Sequence, residues 1–100
     1  MSVDASFLVG STVRIPLAVR DITGQLADPG GLVLRIKPAG GTLQTMTYGA
    51  GADIVRDSMG MYHADILLSV PGVLRWRWEA SAPNQGAFEG ALNVDKSEVV

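Results

Sequence analysis

From Leu74 to Glu79 the chain reads Leu-Arg-Trp-Arg-Trp-Glu, three large apolar side chains interleaved with three charges. In a β-strand successive residues point to opposite faces, so Leu74, Trp76 and Trp78 share one side and Arg75, Arg77 and Glu79 the other. Burying such apolar side chains stabilises a fold by about 1.5 to 3 kcal/mol apiece, which places this strand at the centre of the core. Upstream, Tyr62, Ala64, Ile66 and Leu68 alternate with His63, Asp65 and Leu67 in the same two-residue period. Between the two runs stands Pro71-Gly72, a fixed φ followed by a residue that tolerates positive φ, as the central pair of a type II turn requires. The segment from Gly60 to Ala80 therefore reads as a hairpin around which the chain is organised, with Tyr62 inward and the arginine side left for water or a neighbour.

The remaining chain has the same texture. Phe7 to Val9 makes a short first strand. From Thr12 to Arg20, Val13, Ile15, Leu17 and Val19 face one way, and Pro16, which cannot donate to a ladder, marks an edge strand or a change of sheet. Asp21 to Gly31 is a loop carrying the turn signal Asp28-Pro29-Gly30-Gly31. Leu32, Leu34 and Ile36 alternate with Val33, Arg35 and Lys37, and Pro38 to Gly41 turns that strand into a threonine-rich edge strand over Thr42 to Tyr48. Ile54 to Arg56 is short, Asp57 to Gly60 leads into the central segment, and Phe88, Leu92 and Val94 lie at even spacing on a closing strand. There Gly90 allows a close approach or a bulge, and 96–100 is a short flexible tail. The inward set is Tyr62, Leu74, Trp76, Trp78 and Phe88. Seven or eight strands at intervals of about 8 to 12 residues, with no amphipathic helix, indicate an all-β single domain over 1–100, a β-sandwich or an orthogonal barrel.

Composition narrows the chemistry. With 100 residues, no cysteine and a net charge of -2, the chain has neither thiolate ligands nor a basic footprint for nucleic acid or anionic membrane. Interleaved Arg and Trp can grip single-stranded nucleic acid only if both lie on one exposed face, and a strand sends them to opposite faces. His63 has only Asp65 near it on the polar face, too few ligands to close a zinc site. Ser58, His63 and Asp65 are close in sequence, yet no oxyanion donor accompanies them, so no enzyme activity and no cofactor are expected. The N-terminus MSVDASFLVG lacks the basic start of a secretory signal, and no apolar run approaches the ~20 residues that span a bilayer. Synthesis in the cytoplasm is expected.

Two motifs carry a family resemblance. Asp57-Ser58-Met59-Gly60-Met61-Tyr62-His63-Ala64 resembles the D-x-x-G-x-Y-x-A motif of immunoglobulin-like β-sandwiches, with Ala64 where antibody domains carry cysteine. Over Thr47 to Val94 the chain is similar to small immunoglobulin-like proteins encoded among the structural genes of tailed bacteriophages and prophages, sharing Y-G-x-G, G-x-Y-H-x-D, P-G and R-W-x elements. The resemblance implies an immunoglobulin-like β-sandwich of seven or eight antiparallel strands. It implies a corner in which Tyr62 hydrogen-bonds back to the preceding loop. It further implies a non-enzymatic virion component at the capsid surface, head-to-tail neck or tail, with other virion proteins and copies of itself as partners. The candidate contact residues are Arg75, Arg77, Glu79 and Tyr48. The alternative is an adhesion or carbohydrate-binding module, with Tyr48 as its exposed aromatic.

Overall fold

A computed structural model describes residues 6–99; Met1 to Ala5 of the N-terminal stretch, and Val100 of the tail, lie outside the described residues. The described residues form eight strands and no helix: β1 Ser6–Leu8, β2 Thr12–Ala18, β3 Leu32–Lys37, β4 Gln44–Thr47, β5 Ile54–Ser58, β6 Met61–Leu67, β7 Gly72–Ala80 and β8 Gly86–Asp95. They form two sheets, one of five strands in the order β1-β8-β7-β3-β4 and one of three in the order β2-β6-β5. The pairings are antiparallel except that β1 runs parallel to β8, Ser6 opposite Asn93. An all-antiparallel arrangement is thereby corrected: β1 reaches β8 by pairing the two ends of the described chain, and no hairpin turn constrains their direction.

The two sheets face each other across one apolar cluster. Val13, Ile15, Leu17 and Val19 come from β2 and its exit, Ile54 from β5, and Tyr62, Ala64, Ile66 and Leu68 from β6 and its exit. Leu32, Leu34, Ile36, Leu74, Trp78, Leu92 and Val94 answer them from the larger sheet. The alternation in the sequence places every one of these inward. Leu34 lies between Trp78 on one side and Met46 on the other in the ladder, which is why β3 and β7 form the middle of the large sheet.

The segment from Gly60 to Ala80 is not a hairpin. β6 pairs with β2 and β5, whereas β7 pairs with β3 and β8, so Leu68 to Pro71 carries the chain from one sheet to the other. Gly72 has the positive φ, 119°, that the Pro-Gly pair anticipates. The same local reversal serves a hairpin or an arch, and burial decides between them. Paired side by side, the apolar faces of β6 and β7 would both still need a cover; stacked face to face, each covers the other. The hairpins are instead β3–β4, β5–β6 and β7–β8, the last a register of nine residue pairs from Gly72↔Val94 to Ala80↔Gly86. Pro16 does stand on an edge strand, β2, and the threonine-rich β4 is the edge of the large sheet.

Two inward assignments need adjustment. Trp78 is 1% exposed and Trp76 packs half-buried against the margin of the cluster, but Phe88 is 42% exposed and is not a core residue. Its parity is inward, opposite Trp78. Leu92 and Val94 of the same strand are buried, so the small sheet does cover the far half of β8; Phe88 lies at the β7–β8 turn end, where its ring folds over Gly86 and stays open to solvent. Buried Trp78 also leaves its indole Nε1–H without a hydrogen-bond partner among the described residues.

Candidate functional site

The outer face of the five-stranded sheet concentrates charge. Strands β3, β7 and β8 present Arg35 and Lys37, Arg75, Arg77 and Glu79, and Glu89, because each alternates with an inward apolar residue or with Gly90. Glu79 accepts from Arg35 and from Arg77 at 2.9 Å each, and Arg77 donates onward to Glu89 at 2.9 Å. Arg35 and Arg77 are directly opposite in the ladder. Like charges so placed repel, and Glu79 between them removes the repulsion. Arg77, then Arg35, hold the Glu79 carboxyl below its usual range, while Glu79 and Glu89 raise Arg77. The result is a four-residue ionic ladder whose side chains are held in place across three adjacent strands.

Of the residues picked out for contact, Arg75, Arg77 and Glu79 share this face, with Arg75 exposed and outside the ladder. Tyr48 does not join them. Its N–H donates to the Leu32 carbonyl at 2.9 Å, at the opposite end of β3 from Lys37 and Arg75, which is roughly 17 Å along the strand at about 3.3 Å per residue. Tyr48 is 42% exposed and stands edge-on to Tyr62, ring centroids 5.3 Å apart at 78°. Lys37, which sequence reasoning did not single out, does belong to the face: it sits directly opposite Arg75.

Tyr62 closes a loop, though not the preceding one. Its hydroxyl donates to the Asp28 carboxylate at 2.8 Å, in the connection between β2 and β3. The same carboxylate accepts from both Arg56 Nε and a second Arg56 nitrogen, and from the Gly60 N–H at 2.9 Å. Asn84 from the β7–β8 loop binds the Asp28 carbonyl. Four separate stretches thus meet on one aspartate. Arg56 above all, then the Gly60 N–H and Tyr62, hold Asp28 far below the usual carboxylate range. Burial, with Asp28 beside it, pushes Tyr62 up to about 12. The tyrosine motif signalled that some loop acceptor was required; that it would be Asp28, 34 residues away, had no local signal.

Of Ser58, His63 and Asp65, the last two bind different partners. Asp65 is bound by Arg14 through two nitrogens, at 2.9 and 3.1 Å, and this pair lowers Asp65 and raises Arg14. His63 is not on a wet face. It is 7% exposed on the central strand of the small sheet, with Pro16 and Val55 opposite it on either side, and its Nδ1 meets Asp57 at 2.7 Å. Reading β5 as ending at Arg56 put Asp57 in a turn; the strand runs on to Ser58, which brings Asp57 alongside the histidine. Among the described residues no group of three or more His, Cys, Asp or Glu could hold a metal ion. Set against known protein families, curated proteins and solved structures, the chain matches none.

Proposed function

We propose that this chain is an immunoglobulin-like assembly module, a virion component of a tailed bacteriophage that binds other particle proteins, and copies of itself, through the outer face of its larger sheet. The strand order supports the immunoglobulin-like reading. β2-β6-β5 matches the B-E-D half of that fold, and β8-β7-β3-β4 matches G-F-C extended by C′, as in variable-type domains. One departure stands beside it: Tyr62 opens β6, the E position, whereas antibody domains carry their corner tyrosine on F.

The observation that carries the binding role is the ionic ladder Arg35–Glu79–Arg77–Glu89. Long charged side chains normally lose considerable rotamer freedom on docking; here ion pairs across three strands have already restricted them, so less is lost when a partner arrives. Many weak copies on one lattice would add avidity. Arg14 engages Asp65, so that carboxylate is not the one that orients His63. Mass spectrometry and negative-stain microscopy of purified particles test the proposal; consistent absence of the protein from intact particles would end it. The second reading, a carbohydrate-binding or adhesion module, rests on Tyr48, whose exposed ring stands edge-on to Tyr62. A glycan array that is positive, and loses its signal on Tyr48→Ala, would favour it.

A further inference from the structure

We propose that Lys37 and Arg75 form the anchor of this face, a receptor for a glutamate side chain on an acidic segment of a partner protein. The proposal rests on the reading of the sheet face as a protein-binding surface and names the chemistry of what binds there.

Two like-charge pairs lie directly opposite each other on β3 and β7: Arg35 with Arg77, and Lys37 with Arg75. Such pairs are destabilising when nothing intervenes. The first is relieved by Glu79. The second is not, for both side chains are exposed and neither meets an acid among the described residues, the two glutamates of the face being already bound to Arg35 and Arg77. Among the described residues the repulsion is therefore unrelieved at this end of the β3–β7 pair, where an incoming carboxylate would do for Lys37 and Arg75 what Glu79 does for Arg35 and Arg77.

The surroundings select the kind of anion. Lys37 and Arg75 line a shallow cavity of about 190 Å³ together with Leu43, an exposed leucine from the β3–β4 turn, and Glu89, which faces Arg77. Leu43 offers apolar surface beside the two cations. A free phosphate gains nothing from that surface, whereas glutamate sets a methylene stem against it and its carboxylate between the cations. The net charge of -2 opposes long-range capture of a nucleic acid, whose binding depends on many phosphate contacts. A local, stem-bearing acid on a protein fits both constraints.

The test uses the intact chain and a fluorescein-labelled hexapeptide of alternating glutamate and leucine, with a glutamine counterpart and inorganic phosphate as competitor. Fluorescence anisotropy should show saturable binding of the glutamate peptide. Affinity should fall at least tenfold for the glutamine peptide and for the Lys37→Thr, Arg75→Thr double variant. It should be unchanged in Arg14→Thr, which lies on the other sheet. The double variant should melt no lower than the parent, since a repulsion has been removed; Arg75→Gln, which keeps the stem, gives the same binding readout if the strand is disturbed. Equal binding by the double variant, no binding of the glutamate peptide, or displacement by equimolar phosphate would each overturn the proposal. Particle mass spectrometry reads the virion role separately: a protein found in particles that ignores the peptide refutes only the anchor, and one that binds the peptide but is absent from particles refutes only the virion role.

Discussion

Replacing Gly90 by alanine tests the packing of the large sheet at its most constrained point. Gly90 is opposite Trp76 in the β7–β8 ladder, and a Cβ built on it would stand 2.2 Å from Trp76 Cζ2 and 2.6 Å from Cε2. Carbon atoms in contact sit about 3.5 to 4.0 Å apart, so the indole must move by more than about 1 Å. The backbone of Gly90 is not among the positive-φ glycines, so space alone requires the glycine. Trp76 is half-buried, so the ring can swing outward, giving up the burial it has. An aromatic side chain buries about 150 to 250 Å² when fully covered, and half of that at about 25 cal/mol per Å² is roughly 2 to 3 kcal/mol. Alanine in a strand regains about 0.5 to 1 kcal/mol over glycine. The net cost is about 1 to 2.5 kcal/mol, a fall in melting temperature of roughly 4 to 20 °C for a domain of this size. Urea denaturation of the parent, Gly90→Ala, Trp76→Leu and the double variant closes the cycle. With Trp76 shortened, Gly90→Ala should become neutral or slightly stabilising. Equal costs in both backgrounds would refute the reasoning, as would a Gly90→Ala protein more stable than the parent.

Tyr62→Phe removes one of the four donors to Asp28 and should cost about 1 to 2 kcal/mol, read as a lower urea midpoint; no change would mean that the hydroxyl contributes nothing to closing the loop. Trp78→Ala should cost about 3 to 5 kcal/mol, whereas Phe88→Ala should cost well under about 1.5 kcal/mol given its exposure; the reverse order would refute the covering of the large sheet described above. Acid should destabilise the fold. Asp28, Asp65 and Glu79 all titrate below their ordinary values of 3.8 for aspartate and 4.5 for glutamate. As pH falls below about 4.5 the unfolded chain takes up protons that the folded one refuses, and stability is lost progressively down to the folded values. Urea midpoints at pH 6, 4 and 3 should decline in that order, and an unchanged midpoint at pH 3 would contradict it. At the alkaline end the sign reverses: Tyr62 ionises at 10 in the unfolded chain and about 12 in the folded one, so its contribution is complete below pH 10 and is lost as pH rises toward 12.

Much of the candidate face was legible before any coordinates. Arg75, Arg77 and Glu79 alternate with Leu74, Trp76 and Trp78, and alternation is enough to send them outward together. Lys37 was legible as an outward residue of its strand but not as the neighbour of Arg75, because that pairing joins residues 38 positions apart and depends on register. Exposure alone groups Tyr48 with the arginines, and exposure carries no information about which end of the molecule a residue occupies. Asp57 was lost to a strand read two residues short, and with it the burial of His63.

Side-chain periodicity is a property of a few consecutive residues, so the sequence by itself determined that the chain is built of strands, which side of each faces inward, and that the threonine-rich β4 stands at an edge; that Pro16 marks an edge strand and not a change of sheet came from the strand order. Which strands share a sheet was decided only by the tertiary structure. A Pro-Gly reversal is equally compatible with a neighbour in the same sheet and one in the facing sheet, and the choice falls to whichever arrangement gives both apolar faces a cover. The same holds for Phe88, whose inward direction is local but whose exposure depends on which end of β8 the facing sheet covers. It holds for Asp28 as well, whose role exists only because the fold delivers Arg56, Gly60 and Tyr62 to it from more than 25 residues away.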